Sequence, residues 1–405
     1  MESSAVNPIL DYIQKLPLYK KGLPCGQSVC VMVSHHITHT ADLIQLAAEL
    51  GPHIAVFQVQ ADFIEDWSQD SIDQLTYQAK KHAFILWESS RVLNVTVNVM
   101  GRGYPQQGTC SALGDMIRTK YTSGLIKPAA WAGMSTCWAA GVPYDQQEKD
   151  LLLPSLRKAA RQAVATTAKT IQTEISAEQS EPTPEEPEPS LSPPSTNGWH
   201  EFSNDTMGYA LRKSSTISVT ESVTMQPHVQ PDDGIPPPPL LARGMALLLP
   251  GSINTAFTPE YRQSTLAATC ANADFVIGIT TSEPFFHNYR GNTLLELASE
   301  DGHGSFTSDG DCFLKYSPYM DMDMSLGLFS LIPPDLMQDY DEDLARTTNG
   351  DSSHESQSPC AAKLYYMMDR AMKLRDANRK EHGNVYESGD LTGPTMYHVP
   401  IVVLP

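Results

Sequence analysis

The chain has 405 residues, 41% of them hydrophobic, and a formal net charge of −19 at pH 7. That is enough apolar material for one large core or two small ones, and so acidic a surface excludes a nucleic-acid partner, because a phosphate backbone would repel it. The seven cysteines are odd in number and include no Cys-x-x-Cys pair, which argues against a disulfide framework and a structural zinc site and for a reducing, cytoplasmic setting.

The opening MESSAVNPILDYIQKL (1–16) has no basic stretch followed by an apolar one, so no signal peptide is expected. Short apolar runs then alternate with helix-length periodic segments. VCVMVS (29–34) precedes TADLIQLAAELG (40–51), and IAVFQV (54–59) precedes SIDQLTYQAKKH (71–82). FILWES (84–89) reads as a third strand and WAGMSTC (131–137) as a fourth. MALLLP (245–250) is followed by the helical PEYRQSTLAATCANA (259–273) and then by DFVIGIT (274–280). LLELAS (294–299) and SLGLFS (325–330) are the expected last two strands. Continuous apolar strands alternating with amphipathic helices predict an α/β protein with a parallel sheet covered by helices, and eight such units close a (β/α)8 TIM barrel. No apolar run approaches the roughly 18 residues of a membrane span, so no membrane partner is expected.

The composition shifts after about residue 170. SAEQSEPTPEEPEPSLSPPSTNG (176–198) and PDDGIPPPPL (231–240) bury too little apolar surface to offset their ordering entropy. The expected organisation is therefore a first part of the barrel at 1–171, a Pro/Glu/Ser-rich disordered insertion at 172–240 between the fourth and fifth strands, and a second part of the barrel at 241–405. TTNGDSSHESQSP (347–359) reads as a loose loop.

Four stretches carry a resemblance to a known family. They are SHHITHTADLIQLAAELGPHIAVFQVQADFIEDW (34–67), KKHAFILWESSRVLNV (80–95), KYTSGLIKPAAWAG (120–133) and LARGMALLLPGSINTAFTPEYRQSTLAATCANADFVIGITTSE (241–283). Their order resembles fungal orotidine 5′-phosphate decarboxylase, and the long insertion resembles that of some filamentous-fungal members. The resemblance implies a barrel that forms a homodimer with its two sites at the subunit interface.

The resemblance stops at the active site. In the family the third strand ends in a glutamate, aspartate, arginine and lysine run followed by another aspartate; the lysine protonates the carbanion. Here the aspartates align with Ser89 and Asn94, and the lysine with Arg91, which is effectively never deprotonated. The first-strand aspartate aligns with His36, and the second-strand lysine and histidine with Gln58 and Gln60. The family's Asn-Ala-His on the fourth strand reads Thr136-Cys137-Trp138, and Ser252 aligns with a serine that meets the pyrimidine ring. The nearest match to the Gly-Arg-Gly phosphate grip after the eighth strand is Gly327-Leu328-Phe329, without arginine. Decarboxylation of orotidylate is not expected from this set.

With the charges exchanged for amides, hydroxyls and apolar groups such as Trp87, Trp138, Val92 and Leu93, the expected ligand is a hydrophobic small molecule. The expected catalytic residues are Arg91, Ser89 and His36, with Gln58, Gln60, Glu88, Asn94, Trp138 and Ser252 binding substrate. Arg91 could instead simply pair with Glu88, and either tryptophan could be core. His35, His36 and His39 lack a third ligand for a metal, and YMDMDMS (319–325) lacks the length and the glycine of a calcium loop. GRGYPQQG (101–108) is a weak phosphate motif that could serve as a lid over the site. No cofactor motif is visible, so the expected activity is that of a cofactor-free cyclase or isomerase of a hydrophobic fungal secondary metabolite, of Diels–Alder type in its most specific form. The alternative is a non-catalytic relative that binds a ligand or partner.

Overall fold

A computed structural model describes residues 7–89, 93, 107–178, 234–250, 257–287, 324–338, 340, 358–382 and 394–404. Residues 1–168 and 229–405 form one compact unit, and residues 169–228 form another. In the first unit eight parallel strands close into a barrel in chain order. They are β1 (Cys30–Val33), β2 (Val56–Val59), β3 (Ile85–Glu88), β4 (Met134–Cys137), β5 (Gly244–Leu249), β6 (Val276–Pro284), β7 (Ser325–Ile332) and β8 (Thr395–Leu404). The closing seam pairs Cys30 with Ile401 and Met32 with Val403. Strands with both faces covered read as continuous apolar runs, which is why most of them stood out in the sequence.

Two expectations about the strands need correction. SLGLFS forms β7 rather than the eighth strand, and LLELAS lies outside the described residues. The eighth strand is TMYHVPIVVL, whose Pro400 has no N–H for the ladder and so argues against a strand on sequence grounds. Gly327 consequently sits inside β7, not beyond the last strand. Its backbone is approached closely by β6: a Cβ added to Gly278 would lie 2.0 Å from the Gly327 carbonyl oxygen, so β6 and β7 can pair only with a glycine at 278.

The helices pack by periodicity. In α1 (Pro8–Tyr19) Ile9, Ile13 and Leu16 share one face. They meet Cys30, Val56, Ile85, Met134, Ala246 and Val399 in one cluster, so α1 stoppers the N-terminal end of the barrel. Each such side chain removed from water is worth about 2 kcal/mol. In α2 (Thr40–Leu50) the stripe is Leu43, Leu46, Ala47 and Leu50; in α3 (Gln69–His82) it is Ile72, Leu75 and Ala79. α3 opens with a reciprocal capping box between Ser68 and Ser71 and stops at Ala83, which is left-handed at φ 55°. Then come α4 (Gln107–Thr122), α5 (Leu152–Glu178), α6 (Pro259–Ala271) and α7 (Pro359–His382). α5 runs past residue 172, where the composition argument began the disordered insertion. Helix-compatible sequence persists there, and Pro182 is the first residue beyond to forbid a helix. Residues 179–233 lie outside the description.

Two buried cations lock the N-terminal end. Lys20, 3% exposed, places Nζ 2.7, 2.6, 2.5 and 3.3 Å from the carbonyls of Gly51, Ile54, His82 and Ala83. Arg243 donates to the carbonyls of Ala129, Ala130, Leu240 and Ala242. Both sit where helices or turns end and leave carbonyls without intrahelical partners.

Candidate active site

Strand periodicity and barrel closure decide which side chains face the interior. Val56, Ile85, Trp87, Met134, Ala246 and Phe329 belong to the interior cluster, whereas Phe57, Val59, Leu86 and Cys137 pack in the outer layers with the helices. With a period of two, Gln58 on β2, Trp87 on β3 and Thr136 on β4 share the inward track, and Gln60, Ser89 and Trp138 each follow directly after the last residue of these strands. Glu88 pairs with Val59 and Ser135 and takes the opposite track, fully buried in the outer layer.

The floor is aromatic. Trp87 is fully buried, meets Phe329 edge-on at 4.9 Å and donates from Nε1 to the Thr136 hydroxyl at 2.9 Å. It is interior core, and it limits the depth of any pocket above it. Next to Trp87 in register stands Gln58, only 6% exposed. Among the described residues its Oε1 has no hydrogen-bond partner, and neither has Ser89 Oγ nor Trp138 Nε1, all three shielded from solvent. One turn of the strand higher, Gln60 donates to Met32 Sδ at 3.7 Å, a weak acceptor. The positions at and just past the ends of β2 to β4 therefore carry amides, a hydroxyl and an indole, all of them uncharged.

Trp138 forms the rim. Its ring stacks on Phe257 at 4.9 Å and 10°, and Phe257 tilts against Tyr261 at 5.3 Å. Tyr261 donates to the Ala139 carbonyl at 2.7 Å, tying α6 to the chain just after β4. Sequence reasoning missed Phe257 and Tyr261; their i, i+4 spacing in FTPEY was the available signal. Cys137 faces the other way, and its thiol is pushed up to about 12, first by burial and then by Asp150, so it is no nucleophile for the mouth.

His36 lies past the end of β1, exposed, its backbone N–H on Ser34 Oγ at 3.3 Å and its ring 4.0 Å from that of His35. The loop carrying both histidines is latched to the next one. Thr38 O accepts from Glu65 N–H at 2.8 Å, and Asp66 accepts from the Thr40 N–H at 2.8 Å and its hydroxyl at 2.9 Å. These two bonds, the backbone one foremost, hold the Asp66 carboxyl below its usual range. Among the described residues no three His, Cys, Asp or Glu side chains gather as a metal site. Arg91, Val92, Asn94 and Ser252 lie outside the described residues, as do 101–106 of GRGYPQQG; its last residues open α4. Leu93 is buried in the outer layer against α4 and α5.

No family model matches the chain. Curated relatives are the orotidine 5′-phosphate decarboxylases of Penicillium nalgiovense, 30% identical over 107 residues, and Schizosaccharomyces pombe, 25% over 105 residues. That of Aspergillus fumigatus is 29% identical over 107 residues. The chain is a divergent relative of the fungal orotidine 5′-phosphate decarboxylases. Each match covers 26% of this chain and spans about a third, 32–33%, of the length of the decarboxylase it matches. Among the described residues no helix is long and apolar enough to cross a membrane.

Proposed function

We propose that this decarboxylase-like barrel acts on a hydrophobic small molecule, of secondary-metabolite type, as a cyclase or isomerase that needs only shape and hydrogen bonds, a Diels–Alder ring closure being the specific form. The observation that carries the reading is the uncharged set of Gln58, Gln60, Ser89 and Trp138 at the ends of β2 to β4, next to the aromatic pair of Trp87 and Phe329. Apolar walls with a few placed polar groups suit a hydrophobic ligand. Holding two reacting ends in a near-attack geometry removes part of the barrier as pre-organised entropy. A hydrogen-bond donor on a carbonyl that gains charge lowers it by about 2–4 kcal/mol more. Arg91 is assigned that donor role from its place in the sequence, with Ser89 beside it. A homodimer, which the resemblance implies, belongs to the same proposal.

Loss of the gene, followed by metabolite profiling, tests the reading: an uncyclised precursor should accumulate and be converted by the purified protein. An unchanged metabolite profile refutes it. A second reading, a non-catalytic binding relative, is favoured by the same neutrality, since neither Gln58, Gln60 nor Ser89 exchanges a proton readily near pH 7. A purified protein that binds the precursor without converting it would decide for that reading.

A further inference from the structure

We propose that the N-terminal end of the barrel holds a second ligand site, which takes a small amphiphilic anion: a carboxylate or phosphate head on a short apolar body. The proposal goes beyond the reading of the mouth and does not depend on it. A cleft of about 250 Å³ lies between α5 and the residues that lead into β5 and β6. Arg157 and Arg161 of α5 line it together with Leu241, Arg243, Asp274 and Phe275. Leu241 and Arg243 come just before β5, and Asp274 and Phe275 just before β6, so the cleft sits where these strands begin. Barrel chemistry belongs to the other end, so this is a site for binding rather than turnover.

The charges around this one space define the head. Three guanidinium groups and one carboxylate line the cleft, in a chain whose net charge is −19. Arg157 and Arg161 stand four residues apart on α5, a spacing at which like charges destabilise a helix. Both reach the same oxygen, Asp274 Oδ2, at 3.2 and 3.4 Å. Arg157 also donates to Asn272 Oδ1. Tying α5 to the start of β6 takes one arginine, and Arg157 does it; exposed Arg161 adds positive charge that the shared carboxylate does not cancel. The bonds of Arg243 run to four backbone carbonyls, which carry no net charge to offset its own. Guanidinium forks match the oxygens of carboxylate and phosphate, and an ammonium or a neutral head gains nothing from them. The remaining wall is hydrocarbon. Leu241 is half-exposed, and Ala160 and Val164 of α5 stand with it and with Phe275. The volume is below the roughly 300–1,000 Å³ of drug-sized sites, so the apolar body is short.

The test uses octanoate and octyl phosphate. Octan-1-ol lacks their charge, and acetate and inorganic phosphate lack their tail. Binding to the full chain is followed by ligand-observed NMR. At least one octyl anion should bind roughly tenfold or more tightly than octanol, and by a similar margin over its tail-less counterpart. Its affinity should fall as salt is raised. Which of the two binds better tells whether the head is carboxylate or phosphate. Arg161→Gln should bring the octyl anion down to the level of octanol. The melting temperature should stay unchanged, because Arg161 is exposed and Arg157 keeps its hold on Asp274. Leu241→Asn should instead erase the advantage of the octyl anion over the tail-less one. The proposal is overturned if neither octyl anion binds at millimolar concentration, or if octanol or the tail-less anions bind as tightly. It is overturned too if either substitution leaves the affinity unchanged, since the binding would then lie elsewhere on the molecule.

Discussion

At the N-terminal end of the barrel Lys20 Nζ lies within 3.3 Å of four carbonyls and Tyr12 Oη bridges to the carbonyls of Ala83 and Pro236. At the C-terminal end Gln58 Oε1, Ser89 Oγ and Trp138 Nε1 are equally dry and have no described partner. The strands are the same; these two sets of polar groups are matched differently. An unmade hydrogen bond to a buried group destabilises by about 1–3 kcal/mol. The comparison teaches that at the N-terminal end the chain itself matches buried donors to the carbonyls left at helix and turn ends, while these three atoms at the other end have no partner among the described residues.

The largest test of the comparison is Lys20→Met. It keeps most of the side-chain volume and leaves four carbonyls without their shared donor, so stability should fall by about 4 kcal/mol in denaturant titration. A loss below about 1 kcal/mol would mean that the N-terminal end is not the anchoring one. Next comes Trp87→Phe, which opens a small gap beside Phe329 and strips the Thr136 hydroxyl of its donor. It should reduce stability by about 2 kcal/mol and deepen the mouth, so that bulkier hydrophobic dyes bind; unchanged dye binding would show that Trp87 is not the floor.

Gln58→Leu sharpens the contrast because its sign is reversed. Replacing a dry amide that lacks a partner by a hydrocarbon of similar shape should raise stability by about 1 kcal/mol. A destabilisation of that size would show that the amide is structurally engaged, and the contrast between the ends would collapse.

The smallest effect concerns the latch at the mouth. The carboxyl of Asp66 titrates below its ordinary value near 3.9, so the folded state holds its proton more weakly than the unfolded chain. The stability it adds is present above that ordinary value and is lost as pH falls through the lower folded value. Asp66→Ala should flatten the acid limb of the stability curve over that window and lower the melting temperature slightly at pH 7. Hydrogen exchange in the loop at 34–40 should quicken. If it does not, the latch does not hold the histidine loop.

Much of the barrel was legible because a strand buried on both faces must be apolar throughout, as in VCVMV, IAVFQV and MALLLP. The helices between them were legible through stripes such as Leu43, Leu46, Ala47 and Leu50. β8 was not legible: Tyr397, His398 and Pro400 look wrong for a strand, and only pairing with β7 on one side and β1 on the other recruits them. The composition of the mouth, with Gln58, Gln60, Ser89 and Trp138 at its strand ends, was also open to the sequence. Which of these residues look inward was not. A strand hidden on both faces, as β2 and β3 are, shows no alternation to betray its inner side. Nothing local separates Glu88 from Ser89. Closing the barrel around Trp87 and Phe329 puts Trp87 on the inner face and Glu88 on the outer one, because successive side chains of a strand leave on opposite faces.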